Sequence, residues 1–261
     1  MIDLPLFADV LRSEWTKLRS VRSTYWSILV AIILGIGLGA AISAGSAHAY
    51  PQMSLQDKLT FDPTSTSLAG FFFAQLAIGV FAILTISSEY NTGTIRTTLS
   101  SIPQRGYVLA GKATMVGLVS LAVGLVIAFP SFWIGHVIFR AHHLDVPLSD
   151  PGVLRAVLGS ALYLTALAMF SLGLGAVIRH TAGAITALTA IAFIIPIFSN
   201  LLPDTWQNDL SRYFPANAGG AITTVVSAPH TLSPWAGFGV FLIWVFGLLA
   251  ASWYLLRHRD V

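Results

Sequence analysis

Side chains able to do chemistry are sparse in this sequence. His136 is followed by the pair His142-His143, which brings zinc to mind until the ligands are counted. Zinc sites take three or four protein ligands in fixed geometry, and two adjacent histidines with one uncertain third do not reach that. Gly106 to Ala113 reads GYVLAGKA, one residue short of the phosphate loop G-x-x-x-x-G-K-[ST]. That loop needs a hydroxyl for magnesium directly after the lysine. Ala113 stands there, and Thr114 comes one place late. Cysteine is absent, so thiolate metal sites, disulfides and cysteine nucleophiles are excluded. An intramembrane lipid-modifying enzyme would need a base and a nucleophile, or metal ligands, on facing helices. The apolar segments offer only His136. No catalytic residue and no metal-ligand set is assigned.

The most informative polar stretch is 88–111, SEYNTGTIRTTLSSIPQRGYVLAG. Thr92-Gly93 is a break, Thr94 to Leu99 can make a short helix or turn, and Pro103 ends it. Glu89 sits where the preceding apolar run meets this stretch. An unpaired charge entering lipid costs several kcal/mol, so Glu89 needs a cation or water, with Arg96, Arg105 or an arginine of the N-terminal tail as the expected partner. Lys112 is expected to snorkel to the membrane interface.

The elements that position these residues follow from composition. The 261 residues are 55% apolar and only 10% charged, whereas soluble domains carry roughly 25% charged residues. A spanning helix needs about 20 consecutive apolar residues. Six stretches qualify, at 25–44, 68–87, 113–137, 156–178, 183–202 and 235–256. The fold class expected is an all-α membrane protein forming one transmembrane domain over 1–261. With the N-terminus inside, Arg12, Lys17, Arg19, Arg22, Arg96, Arg105, Lys112, Arg179, Arg257 and Arg259 face the cytoplasm, against Lys58, Arg140, Arg155 and Arg212 outside. That bias fits the positive-inside rule with both termini cytoplasmic in the plasma membrane. The pI near 9.4 is then an orientation signal, and no nucleic-acid partner is expected. The A-x-A pattern Ala47-His48-Ala49 follows an apolar run longer than the about 7–15 residues of a signal h-region, so the first helix is expected to be kept.

Within 4–19, Leu4, Phe7, Leu11, Trp15 and Leu18 recur at helical spacing. This predicts an amphipathic helix in the headgroup plane, anchored on membrane lipids by Trp15, Lys17 and Arg19. Gly35 and Gly39 give the first span a small-xxx-small face for close helix approach. Gln75 should bond to a neighbouring helix, and Pro130 can kink the third span. Spans four and five are joined so tightly at 179–182 that they must be antiparallel neighbours. The semi-apolar outer segment 203–234 predicts short amphipathic or re-entrant helices.

Three function classes compete: a transport subunit driven by another protein's ATPase, a stand-alone secondary transporter or channel, and an intramembrane enzyme. Ion-coupled transporters place charged residues within their spans, and these span cores hold none. The enzyme lacks its catalytic set. The N-terminal SEWTKLRSVRSTYW and the stretch from Glu89 through Gly93-Thr94-Ile95-Arg96 to Pro103 and Lys112 resemble the permease subunits of type-2 ABC exporters, including small bacterial multidrug and antibiotic-efflux permeases. The resemblance covers essentially the whole chain. It implies a partner cytoplasmic ABC ATPase carrying ATP and magnesium, a second permease copy or paralogue, and no cofactor in this chain. It implies that Glu89, Tyr90, Gly93, Thr94, Ile95 and Arg96 form the ATPase-coupling region. It also implies a pathway between two permeases, lined mainly by spans two and five, for which Phe72, Gln75, Gly79, Phe193 and Ser199 are the candidate positions.

Overall fold

The structure is a computed structural model that describes residues 4–101, 105–199, 210–226 and 231–258. Among them it contains helices and turns and no strand. Helix α1 (Leu4–Ser20) is amphipathic. It buries Val10, Glu14 and Leu18, while Trp15 is exposed. The buried line is thus rotated from the apolar stripe that spacing predicts, and it carries a carboxylate. Val21 adopts an extended conformation, turning the chain from α1 into α2 (Arg22–Gln52), the first of six helices long and apolar enough to cross a membrane.

Helix α2 contains a π-helical turn at Ile33–Leu38. There Gly35 and Gly39 meet the chain before the second span, and a Cβ on Gly70 would overlap the backbone of both. The small-residue face of the first span is therefore a genuine helix contact, as small-xxx-small patterns allow. Two short helices follow, α3 (Leu55–Thr60), capped by Ser54, and α4 (Pro63–Ser67), capped by Asp62.

The second span, α5 (Phe71–Thr92), ends at Gly93, which is left-handed with φ +72°. This is a helix C-terminus that glycine adopts without steric cost. Helix α6 (Thr94–Ser101) follows at once, and α7 (Arg105–Arg140) begins four residues after it. Among the described residues, segment 88–111 is mostly helical: it holds the end of α5, all of α6 and the start of α7. The phosphate-loop look-alike at 106–113 lies inside α7, where backbone N–H groups serve the helix rather than a ligand. Helix α7 runs on through Pro130.

Helix α8 (Val153–Ile178) is the centre of the bundle, with 72% of its apolar window buried. Gly124 and Gly159 mark where α7 and the outer segment lie tightest against it. Arg179 and His180 alone separate α8 from α9 (Thr181–Phe198), which makes the two helices antiparallel neighbours. Helix α9 includes a second π turn, Ala190–Ile194. Of the outer segment, 210–226 carries short helical turns around α10 (Pro215–Gly220), and 203–209 and 227–230 lie outside the described residues. Helix α11 (Pro234–His258) completes the six.

Candidate functional site

Four charged residues from α1, α5 and α7 converge on one point. The sequence holds only two glutamates and three lysines. Both glutamates and two of the lysines meet here. Lys112 Nζ donates to Glu89 Oε1 at 2.7 Å, to Glu14 Oε2 at 2.8 Å and to the Thr85 carbonyl at 3.2 Å. An ammonium has three donors, so Lys112 is fully satisfied. Lys17 Nζ donates to Glu14 Oε1 at 2.7 Å and to Glu89 Oε1 at 2.9 Å. Two carboxylates and two ammonium groups sum to zero, so mutual attraction and hydrogen bonds can offset the desolvation each charge pays on burial.

The side chains of Lys112, Glu14 and Glu89 are 2%, 5% and 10% exposed, and that of Lys17 is 36% exposed. This bears on three expectations. Lys112 does not snorkel; it is buried and bridges two helices. Among the described residues, the cations on Glu89 are Lys17 and Lys112; the side chains of Arg96 and Arg105 lie outside them. Lys17, expected as a headgroup anchor, pairs with Glu14 and Glu89 while its side chain stays 36% exposed. Burial disfavours its charge, but the hydrogen bonds and charges of Glu14 and Glu89 outweigh that, and its pKa is raised.

Glu14 escaped the sequence reading because it sits among polar neighbours on a surface helix. The available signal was Val10, Glu14 and Leu18, spaced i, i+4, i+8 on one face. Close approach of α1 to α7 depends on Gly111: a Cβ there would strike Val10 and reach Glu14. The glycine directly before Lys112 lets the two helices close over the lysine.

The remaining motif residues seat α6 on the bundle. Tyr90 lies under the Arg179 guanidinium, 5.1 Å from its ring centroid. Arg179 Nη2 donates to the Leu255 carbonyl, linking α5 through the α8–α9 turn to α11. Asn91 donates to Thr181 Oγ1 at 3.0 Å, and Thr181 donates to Ser87 Oγ at 2.8 Å. Ile95 is buried at 3% exposure, while Thr94, Thr97 and Ser100 are exposed. The side chain of Arg96 lies outside the described residues. On α1, Trp15 is exposed and Arg19 stacks on it at 5.9 Å.

The family described as ABC-2 family transporter protein matches residues 18–261. This chain belongs to that family. No curated relative matches the chain. The protein is thus an ABC-2 permease, a membrane transport subunit, and the geometry around α6 can be read as that of a permease.

At the opposite end of this permease, a cavity of about 250 Å³ is lined by Phe72, Gln75, Tyr163, Ala192, Pro196 and the outer segment around Asn217. Gln75 is buried and accepts a 2.6 Å hydrogen bond from the Tyr163 hydroxyl, the interhelical bond expected of it. Phe72 is 46% exposed and meets Phe193 edge-on at 4.8 Å. Three of the five candidate pathway positions therefore gather at or beside this cavity. Gly79 does not: a Cβ there would strike Leu188 of α9, so it serves helix packing. The side chain of Ser199 lies outside the described residues.

The cavity's outer wall is pinned by two side chains. Asp62 caps α4 by accepting from the amides of Thr64 and Ser65, and it also accepts from the amides of Val225 at 3.0 Å and Val226 at 3.2 Å. Arg155 donates to the Ile222 and Thr224 carbonyls. His136 Nδ1 contacts the Val146 carbonyl at 3.1 Å, and among the described residues no group of three His, Asp or Glu side chains is arranged to hold a metal ion.

Proposed function

We propose that this permease forms the substrate pathway of an ATP-driven exporter in the plasma membrane, together with a second permease copy or paralogue, and that a separate cytoplasmic ABC ATPase supplies hydrolysis with its own ATP and magnesium. Both termini and α6 face the cytoplasm in this reading. The observation that carries it is the seating of α6. A short helix stands behind the left-handed Gly93, held from below by Ile95, with Thr94, Thr97 and Ser100 exposed along it. The Glu14–Lys17–Glu89–Lys112 cluster fastens the adjoining ends of α1, α5 and α7 together. A push on α6 or α1 is therefore delivered to spans two and three as a unit rather than absorbed locally.

In this mechanism Glu89 and Tyr90 are inner supports of the coupling region, not its docking face. Phe72, Gln75 and Phe193 border the outer part of the pathway. The test is co-expression with a candidate cytoplasmic ABC ATPase, identified by its Walker A and signature motifs. Arg96→Glu and Thr97→Glu should reduce ATPase co-purification and transport while membrane insertion stays normal. Normal co-purification and transport by both variants would refute the assignment. Substrate flux through the purified chain in liposomes without ATPase would point instead to a stand-alone channel or secondary transporter.

A further inference from the structure

A cleft of about 360 Å³ opens beside the ion cluster, between α1, the start of α2, the end of α5 and α6. That is within the size range of small-molecule sites. Its lining includes Ser20, Ser23, Thr24, Thr85, Ser88, Thr92, Thr94 and Thr98 together with Glu89. Several of the hydroxyl protons are already committed. Thr85 donates to the Ala82 carbonyl, Ser88 to that of Leu84, Thr92 to that of Ser88 and Ser20 to that of Lys17. Thr94 shares a 2.9 Å bond with Thr92, whose own proton is used, so Thr94 is the donor there. These groups turn lone pairs toward the cleft. The second carboxylate oxygen of Glu89, Oε2, is buried and has no hydrogen-bond partner among the described residues. A buried carboxylate oxygen without a donor is costly, and a wall of acceptors calls for a ligand rich in N–H donors.

The place narrows the ligand further. The cleft lies at the elbow where α1 turns into the first span, which puts it at headgroup depth if α1 rests in the interface. Leu18, Val21 and Leu84 form its apolar side. Lys17 is half-exposed at its rim and uses two of its three donors on Glu14 and Glu89. From these observations we infer that the cleft binds the headgroup of an aminophospholipid. The primary ammonium bonds to the hydroxyl oxygens of the cleft beside the Glu89 carboxylate, and the phosphate lies against Lys17. The zwitterionic headgroup leaves the net charge of the cluster at zero. Because Thr94 and Thr98 belong to α6, the bound lipid touches the same short helix that the transport reading assigns to the ATPase. The inference rests on the membrane placement of α1 and not on the ATPase partnership.

The test uses the full chain alone, so its failure leaves the transport reading standing. Native mass spectrometry would count lipids retained from mixtures of phosphatidylethanolamine, its N-monomethyl and N,N-dimethyl forms, and phosphatidylcholine. Charge and phosphate are constant through this series, and each step replaces one N–H donor with a methyl group. Retention should fall stepwise, by about tenfold from the first lipid to the last, the equivalent of one charge-assisted hydrogen bond. Ser88→Phe, an exposed position outside the ion cluster, should plug the cleft and abolish the preference. Glu89→Gln should weaken it; if that variant fails to fold, Ser88→Phe still decides. Equal retention of all four lipids by the unaltered chain overturns the proposal. Ethanolamine that stabilises the delipidated chain in a Ser88-dependent way, with retention insensitive to methylation, would keep the ammonium site but overturn its lipid source.

Discussion

Replacing Lys112 with methionine isolates what the ion cluster contributes. The substitution keeps the unbranched stem and deletes the ammonium. Four groups that sum to zero become three that sum to −1, and the excess carboxylate is shared between Glu14 and Glu89, both nearly buried. Lys17, more than a third exposed, is left to serve both. Breaking a buried pair by removing one partner costs about 3–5 kcal/mol, because the remaining charge is uncompensated. At roughly 2–4 °C per kcal/mol for a chain of this size, the apparent Tm in detergent should fall by about 6–20 °C. The double variant Lys112→Met with Glu14→Gln restores neutrality and leaves the Glu89–Lys17 pair, so it should recover half or more of that loss. Such recovery is a coupling that independent sites do not show. A Lys112→Met variant within about 2 °C of the parent, or a double variant no more stable than Lys112→Met, would refute the claim that charge compensation holds these helices together.

Three further outcomes are expected. Lys17 has a raised pKa, so its contribution to stability is fully present below the ordinary lysine value and is lost as pH rises through the folded value. Thermal scans from about pH 9 to about pH 11.5 should therefore show an alkaline loss that Lys17→Met flattens. Asp62→Ala removes the cap of α4 and the clip on Val225 and Val226. It should lower the apparent Tm by a few degrees, consistent with about 1 kcal/mol or more per lost cap, and speed tryptic cleavage at Arg212; unchanged proteolysis would show that the clip is dispensable. Gly70→Ala forces a methyl into the backbone of Gly35 and Gly39. Overpacking costs about 1–3 kcal/mol even where side chains can yield, so folded yield should drop sharply, whereas Gly37→Ala, which meets open space, should be neutral.

Much of the scaffold was legible because its signals are local. Twenty apolar residues in a row need no partner to be recognised, and the break at Gly93 follows from one residue's conformational freedom. The helix boundaries were less legible. The helix that carries the third span starts at Arg105, eight residues before the apolar run at 113, since polar residues stay helical when neighbouring helices take up their side chains. Gln75 was read correctly as an interhelical hydrogen bonder, because an amide in an apolar span has few other options. The close approach of Leu188 of α9 to Gly79 could not be read from sequence, because it depends on how α5 and α9 pack.

What the sequence alone determined is the membrane class, the six spans, the surface helix and the short helix after the second span, all encoded in runs and periodicities a few turns long. The ion cluster was beyond its reach. Glu14 and Lys112 are 98 residues apart, and Lys17 and Glu89 are 72 apart. Each, taken singly, is an ordinary charged residue near a membrane edge, and the expectation for such a residue is to reach for water. Only when α1, α5 and α7 pack together, with Gly111 allowing the closest approach, do four groups find that pairing with one another costs less than remaining solvated. Charge compensation depends on distance in three dimensions, and no spacing along one chain reveals it.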